Sequence, residues 1–194
     1  MCARFSLALN PRLFRAVFGV EPEEWDLRPE LAPTDQVVVI GETDSRRWAE
    51  TMRWGLIPKW AKDERVGINA INARCETIAE KPTFRSAYES RRCLIPATSW
   101  YEWIGKSKYA LWPAESEVFA FAGLWEEWRG LKSCTVITCE PTADFEKFQT
   151  RMPVILAPGD YEEWLADGAL ELLKPWESEL AAELTPGSQM GFDF

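Results

Sequence analysis

Residues 92–112 read RCLIPATSWYEWIGKSKYALW, and this stretch decides the fold. It contains three short runs rich in β-branched and aromatic residues, at 93–95, 100–104 and 109–112, with turn-forming residues between them. Runs of this length and composition predict successive strands joined by tight turns.

The same pattern extends outward from this stretch. Further strands are predicted at 36–40, 52–58, 118–122, 134–138 and 154–156, with Pro58 ending the second of these. Helices are predicted at 11–18, 80–88 and 141–149, and over 158–173 in two pieces broken at Gly168. The sequence therefore predicts an α+β fold, a curled and mostly antiparallel sheet or barrel flanked by helices. We expect one domain over residues 1–185 and a flexible tail over 186–194.

The composition excludes several classes of protein. The 194 residues fit one domain, and 11 Trp and 10 Phe within a 46% hydrophobic chain exclude general disorder. No apolar run approaches the roughly 20 residues of a membrane helix, and the N-terminus lacks a secretory signal. We expect a cytoplasmic monomer with no membrane partner and with reduced cysteines.

The chain contains no His and no CxxC pair. A zinc site would need three or four Cys, His or carboxylate ligands at recognisable spacing, so no metal and no cofactor are expected. The missing His also excludes Ser-His-Asp and Cys-His catalysis within the chain.

Positive charge is concentrated in the middle of an acidic chain. The net charge is −9, yet residues 51–110 carry +5, against −3 for residues 1–50 and −11 for residues 111–194. Within this basic region Arg53, Arg74 and Arg85 alternate with rings such as Trp54, a pattern typical of surfaces that hold single-stranded nucleic acid. An ordinary solvated surface over an aromatic core is the alternative.

Cys2 follows the initiator Met1. Removal of Met1 would leave an α-amine and a thiol on neighbouring carbons. The amine condenses with an aldehyde to an imine, and the tethered thiol closes onto the imine as a thiazolidine. Such a ring closure is effectively unimolecular, with effective molarities on the order of 10⁵ M or more in well-oriented cases. An accidental Cys at position 2 is the alternative.

Glu102 lies between Tyr101 and Trp103 in a predicted strand. A carboxylate buried among rings loses hydration, which raises its pKa toward the range useful for general acid–base catalysis. The alternative is that Glu102 faces solvent while the two rings face the core.

Seven motifs occur in the order seen in one protein family. They are MCARF (1–5), WGLIP (54–58), NAR (72–74), RCLIP (92–96), YEW (101–103), FAGLW (121–125) and RMP (151–153). Over residues 1 to about 160 the chain resembles the SRAP family, whose name stands for SOS response-associated peptidase.

The resemblance implies a DNA-associated protein, a function and a set of site residues. SRAP proteins recognise abasic sites in single-stranded DNA and link to them through a thiazolidine on the N-terminal cysteine, which shields the lesion in the DNA damage response. It implies Cys2 as nucleophile, Asn72 as a positioning residue and Glu102 as the acid–base residue. Arg4, Arg74 and Arg151 would hold phosphates, while Trp54 and Trp103 would shape the DNA-bearing surface.

The chain departs from the family pattern at three places. Gln149 stands where the family usually has His, and it cannot carry a proton near neutral pH. We therefore expect slower linkage or slower reversal. Ala3 replaces the usual Gly, and Pro29-Glu30 replaces Tyr-Asn, so Glu30 either turns away from DNA or weakens binding.

Two other functions remain open from the sequence. One is a cysteine peptidase limited to removing its own Met1, with Glu102 assisting; a lyase-like activity is a related possibility. The other is a module that binds single-stranded or modified DNA without covalent chemistry.

Overall fold

The structure is a computed structural model that describes residues 2–8, 10–20, 22–23 and 29–186. Apart from Pro186, the predicted tail lies outside the described residues. The strands are β1 Phe5–Ser6, β2 Gln36–Thr43, β3 Arg46–Trp54, β4 Asn72–Arg74, β5 Arg92–Ala97, β6 Ser99–Ile104, β7 Ser107–Pro113, β8 Phe119–Trp128, β9 Leu131–Cys139, β10 Met152–Pro153, β11 Ile155–Leu156 and β12 Leu180–Leu184. The α-helices are α1 Pro11–Phe18, α2 Arg85–Ser90 and α3 Tyr161–Ala166.

A closed five-stranded barrel forms the centre of the fold. The strands follow the order β9-β3-β2-β5-β8, and the pairing of β8 with β9 closes the ring. The pairs are antiparallel except for β3 and β9, which run parallel with Trp54 opposite Cys134. The α+β fold with a mostly antiparallel barrel, predicted from the sequence, is confirmed.

Two-residue turns set the register of the barrel hairpins. Asp44 and Ser45 join β2 to β3 with φ of 49° and 57°, and Arg129 and Gly130 join β8 to β9 with φ of 52° and 84°. Positive φ at both central positions belongs to the type I′ turn, whose twist matches that of the flanking strands. Each turn thereby fixes which side chains of its strands face the core.

A second, four-stranded antiparallel sheet packs against the barrel in the order β1-β6-β7-β12. The Phe5 ring lies 5.0 Å from the Trp54 ring and 5.8 Å from the Phe121 ring, measured between centroids. Trp100, which lies opposite Phe5 in the register, packs edge-on against Phe119 at 5.8 Å. The two sheets therefore share one aromatic core.

The helix predictions were partly correct. Helix α1 has its predicted bounds: the Asn10 side chain accepts from the Leu13 N–H at 3.0 Å, and Gly19 ends the helix with φ of 73°. Helix α2 begins at Arg85, five residues later than predicted.

The predicted helix at 141–149 is wrong. The segment forms a series of turns in which the N–H groups of Phe145 and Phe148 donate to carbonyls three residues back. Phe145 is buried and its ring packs 5.6 Å from that of Phe148, so core packing selects a tighter path than an α-helix.

The region 158–173 breaks at Gly168, as predicted. A 3₁₀ turn at Pro158–Asp160 leads into α3, and a second 3₁₀ turn at Leu170–Leu172 follows Gly168, whose φ is 67°. Strands β1, β4 and β12 were not predicted. Within the described ranges, no helix is both long and apolar enough to cross a membrane.

One arginine fastens two helices to the barrel. The Arg92 guanidinium, on β5, donates to the carbonyls of Tyr88 (2.7 Å) and Glu89 (3.0 Å) in α2, and to those of Trp164 (3.0 Å), Leu165 (3.3 Å) and Ala166 (2.6 Å) in α3. These contacts satisfy carbonyls that the helix ends leave without intrahelical partners.

Substituting Arg92→Lys should destabilise the fold. An ammonium has three donors and lacks the planar fork, so at least two of the five bonds are lost and helix-end carbonyls, most of them part-buried, are left unpaired. We expect a loss of about 2–4 kcal/mol in the free energy of unfolding, measured from urea unfolding curves. Arg85→Lys, an exposed position on α2, is the matched control. Equal stability of the two variants would contradict this role.

Candidate active site

Cys2 is fully buried, just ahead of β1, and its main chain is tied to the barrel. Asn72 donates from Nδ2 to the Cys2 carbonyl oxygen at 2.8 Å. Asn72 begins β4, where it lies opposite Val136 of β9. Through β4, strand β9 of the barrel therefore positions Cys2, which would be the N-terminal residue once Met1 is removed.

The Cys2 thiol is held in its protonated form. Burial, and after it the negative charge of Glu102, raises the pKa of the thiol far above its usual value, against a smaller opposing contribution from a hydrogen bond with the Arg4 backbone. The thiol is therefore not ionised at neutral pH. A base must take its proton when the sulfur forms a bond.

Glu102 is a buried carboxyl next to this thiol. It lies on β6 and is 2% exposed, while Tyr101 and Trp103 on either side are only half-buried. The alternative in which Glu102 faces solvent is therefore wrong. Burial raises the pKa of Glu102 to about 7, and a hydrogen bond with the Gln149 side chain acts in the opposite direction. Both protonation states are accordingly available near neutral pH.

The Gln149 side chain is oriented by the backbone N–H of the next residue. Its side-chain oxygen accepts from the Thr150 N–H at 3.2 Å, which leaves the NH₂ group as the donor toward Glu102. A donor to the ionised carboxylate stabilises that form. Gln149 thus adjusts the pKa of Glu102 but cannot exchange a proton with it.

Two buried polar atoms at these residues have no hydrogen-bond partner within the described part of the chain. They are the acceptor Asn72 Oδ1 and the donor Trp103 Nε1. Buried polar groups are nearly always paired in folded proteins. An acceptor beside the Cys2 carbonyl, and a donor on the face of β6 opposite to Glu102, are therefore available to polar groups of a substrate.

The predicted DNA-binding arginines differ in how exposed their side chains are. Arg74 and Arg85 are exposed at the ends of β4 and α2. Arg53, by contrast, is half-buried and donates to the Gly55 carbonyl at 3.3 Å. Arg4 is exposed, with Nε 3.6 Å from a carboxylate oxygen of Glu30.

Arg151 already has a carboxylate partner. Its guanidinium donates to both oxygens of Glu76 at 2.7 and 2.8 Å and to the Thr138 carbonyl at 2.8 Å, and its side chain is 13% exposed. The bidentate ion pair fastens the segment before β10 to the turn after β4. A phosphate could engage Arg151 only by competing with Glu76.

The predicted placement of Trp54 on a DNA-bearing surface needs correction. Trp54 is completely buried, and its Nε1 donates to the Ile71 carbonyl at 2.9 Å. It therefore supports the segment that leads into Asn72 from within the core. The reason is its position at the end of β3, where the pairing with β9 turns the ring inward.

Trp60 is another ring of the basic and aromatic pattern predicted from the sequence, outside the predicted set of site residues. Its ring is 59% exposed, although its Nε1 donates to the Pro82 carbonyl at 3.3 Å and so orients the ring. Lys59 beside it has a 63% exposed side chain. The position of Trp60 just after Pro58, within the basic region, was the available signal.

The described residues contain no group of three or more Cys, Asp or Glu side chains that could hold a metal ion. All five cysteines are free thiols.

Comparisons with known proteins agree with this architecture. An X-ray crystal structure of a protein from Bordetella bronchiseptica superposes with a TM-score of 0.83 at 26% identity, covering 95% of this chain and 99% of that one. One from Bacteroides thetaiotaomicron superposes with a TM-score of 0.86 at 23% identity, covering 96% and 93% of the two chains, and shows the shared fold.

Sequence relatives carry a common name. The Bacillus subtilis (strain 168) proteins named abasic site processing protein YoaM and abasic site processing protein YoqW are 42% and 38% identical to this chain. Each match covers 92% of this chain. The matches cover 88% of YoaM and 89% of YoqW. The sequence model described as "SOS response associated peptidase (SRAP)" matches residues 1–188. The chain therefore belongs to the SRAP family, the SOS response associated peptidases.

Proposed function

We propose that this protein processes abasic sites in single-stranded DNA by capturing them in a thiazolidine formed by Cys2 after Met1 is removed. The observation that carries the proposal is the anchored main chain of Cys2, whose thiol lies beside a buried carboxyl with a pKa of about 7. The abasic site processing proteins among its relatives support the choice of substrate.

The first step releases the amine. Hydrolysis of the Met1–Cys2 peptide bond consumes one water and yields free methionine and the α-amine of Cys2, with Glu102 as the base that activates the water. The chain lacks His, and the Cys2 thiol is buried and protonated, so turnover of added peptides is not expected. The peptidase activity is on this view a single autoprocessing event.

Imine formation then needs one group that both takes and gives protons. An abasic sugar is mostly a closed hemiacetal, and the carboxylate form of Glu102 can assist its opening to the aldehyde. The amine, with a usual pKa of about 8, attacks the aldehyde carbon to form a carbinolamine. The acid form of Glu102 protonates the hydroxyl, which leaves as water. Asn72 Oδ1, a buried acceptor with no partner among the described residues, would accept from the amine or from a sugar hydroxyl.

Ring closure completes the link. The Cys2 sulfur adds to the imine carbon, forming the C–S bond, while its proton passes to the nitrogen, with Glu102 as the relay. No oxidant or metal is required. An imine that fails to close can instead lose the 3′ phosphate by β-elimination, which cleaves the strand, so closure protects the lesion.

The exposed residues of the basic region suit a single strand. Arg74 and Arg85 offer cations for phosphates, and Trp60 beside Lys59 offers a ring face for a base. Cations combined with stacking rings hold single strands with little sequence preference. A single-stranded substrate also avoids the free energy of extruding the site from a duplex.

Replacing the nucleophile should abolish the covalent link. The wild-type protein, mixed with a single-stranded oligonucleotide carrying one abasic site, should give a slow band on a denaturing gel. Cys2→Ala should give no such band and more strand cleavage, because its imine cannot close. An oligonucleotide with a tetrahydrofuran analogue, which has no aldehyde, is the substrate control. No band from protein shown by mass spectrometry to have lost Met1 would favour a non-covalent DNA-binding module.

The crosslinking rate should peak near pH 7. Below that pH Glu102 loses the carboxylate form that opens the sugar, and above it Glu102 loses the acid form that dehydrates the carbinolamine. Single-turnover rates from pH 5.5 to 9 would measure this. Because the Glu102→Gln variant lacks the base assigned to Met1 removal, its Met1 is first removed with a methionine aminopeptidase and the product is checked by mass spectrometry. This variant should then crosslink about 10²–10⁴-fold more slowly and show no decline on the alkaline side.

Glu126→Gln, which changes another buried strand carboxyl, should keep the alkaline decline and is the matched control. An alkaline decline that persists in Glu102→Gln would exclude Glu102 as the titrating acid.

Introducing the family's histidine at position 149 should change the rate at which the crosslink forms or reverses. Gln149 donates to Glu102 but cannot carry a proton, so Gln149→His should speed linkage, reversal or both. Gln149→Leu, which removes the hydrogen bond without adding a titrating group, is the control. Formation and heat-induced loss of the crosslinked band give the two rates. If His leaves both rates unchanged, position 149 does not limit the chemistry.

A further inference from the structure

A carboxylate holds two cations together beside the candidate active site. One oxygen of Glu30 lies 3.6 Å from Arg4 Nε, and the other forms an ion pair with Lys108 Nζ. Arg4 is two residues from Cys2, and Lys108 lies opposite Trp103 on the strand next to β6. The ion-pair cluster of Arg4, Glu30 and Lys108 therefore lies against the Tyr101–Trp103 segment of β6, which carries Glu102.

Aromatic rings and hydrogen bonds keep this ion-pair cluster in place. Lys108 Nζ lies 4.0 Å from the Tyr101 ring centroid and 5.7 Å from that of Trp103. The Tyr101 hydroxyl is 2.7 Å from Ser6 Oγ, which donates to the Pro29 carbonyl at 2.6 Å. The backbone next to Glu30 is thus tied to β1 and β6, and Lys108 retains only 14% side-chain exposure.

Two cations beside two rings have the composition of a subsite for one phosphate and one base of a single strand. Here the carboxylate stands between the cations, where a phosphate oxygen would bind. Charge-assisted contacts with a carboxylate and with a phosphate use the same donors, so the two ligands exclude each other. The ion-pair cluster has a net charge of +1, and without the Glu30 charge it would have +2.

We propose that Glu30 is an internal competitor of the DNA backbone, and that Lys108 is a further phosphate-binding residue which becomes available when Glu30 withdraws. The inference rests on the proposed single-stranded DNA substrate and specifies how this chain limits its affinity for that substrate. A phosphate near the lesion must displace the carboxylate before Arg4 and Lys108 can bind it.

The test measures non-covalent binding in a Cys2→Ala background. The affinity for an undamaged single-stranded oligonucleotide is determined over a range of salt concentrations, with and without Glu30→Gln. We expect several-fold tighter binding at low salt. The slope of log K against log salt should steepen by about 0.7 for one added phosphate contact. Adding Lys108→Gln to Glu30→Gln should remove most of the gain.

Glu50→Gln is the matched control. Glu50, on β3 of the barrel, forms an ion pair with Lys132, whose Nζ lies 5.8 Å from the Trp125 ring centroid. This variant makes the same change in net charge in a similar setting outside the Arg4–Lys108 site. A gain from Glu50→Gln equal to that from Glu30→Gln would reduce the effect to net charge and overturn the proposal, as would unchanged affinity in Glu30→Gln.

Lys108→Gln alone gives a second test should Glu30→Gln fold poorly, as judged by thermal melting. It should bind the oligonucleotide more weakly than its parent, and unchanged binding would overturn the proposal. Crosslinking of an abasic oligonucleotide by the wild-type chain reports separately on the proposed function. A chain that crosslinks but shows no effect of Glu30→Gln overturns only this inference. A chain that shows the effect without crosslinking overturns only the covalent chemistry.

Discussion

Strand β9 is the constraint on which the rest of the molecule depends. It pairs with β3, β4, β8 and β10, so it closes the barrel and also carries the short strand that presents Asn72. Because hydrogen bonds in a sheet fix neighbouring strands in register, the position of the Asn72 amide follows from the position of Val136. The Cys2 main chain, held by that amide, is thereby positioned relative to the barrel.

Burial determines the chemistry available at Cys2 and Glu102. Removing both groups from water disfavours the charged form of each, and the negative charge of one further disfavours ionisation of the other. A site of this kind suits a reaction in which a proton moves between neutral partners. It is a poor site for a standing thiolate, so in the proposed reaction a base must take the thiol proton as the C–S bond forms, and in a chain without His that base would be Glu102.

Internal carboxylates limit the positive charge available to DNA. Glu76 holds Arg151 and Glu30 holds Arg4, while Arg74 and Arg85 lie exposed. The positive charge that a strand would meet is therefore smaller than the number of predicted DNA-binding arginines suggests. Because association with a phosphate backbone depends on local potential, these ion pairs would set the affinity for the proposed single-stranded substrate and the dependence of that affinity on salt.

The sequence by itself determined the elements whose signals are local. Helix α1 followed from Pro11 and Gly19, the hairpin strands from alternating aromatic residues, and the candidate nucleophile from the position of Cys2. Only the tertiary structure decided how deep each side chain lies. It buried Trp54, turned Glu102 inward, replaced the helix at 141–149 with turns around Phe145, and paired Glu30 with Arg4 and Lys108. The physical reason is that hydration and ion pairing depend on residues far apart in the chain, which local sequence does not specify.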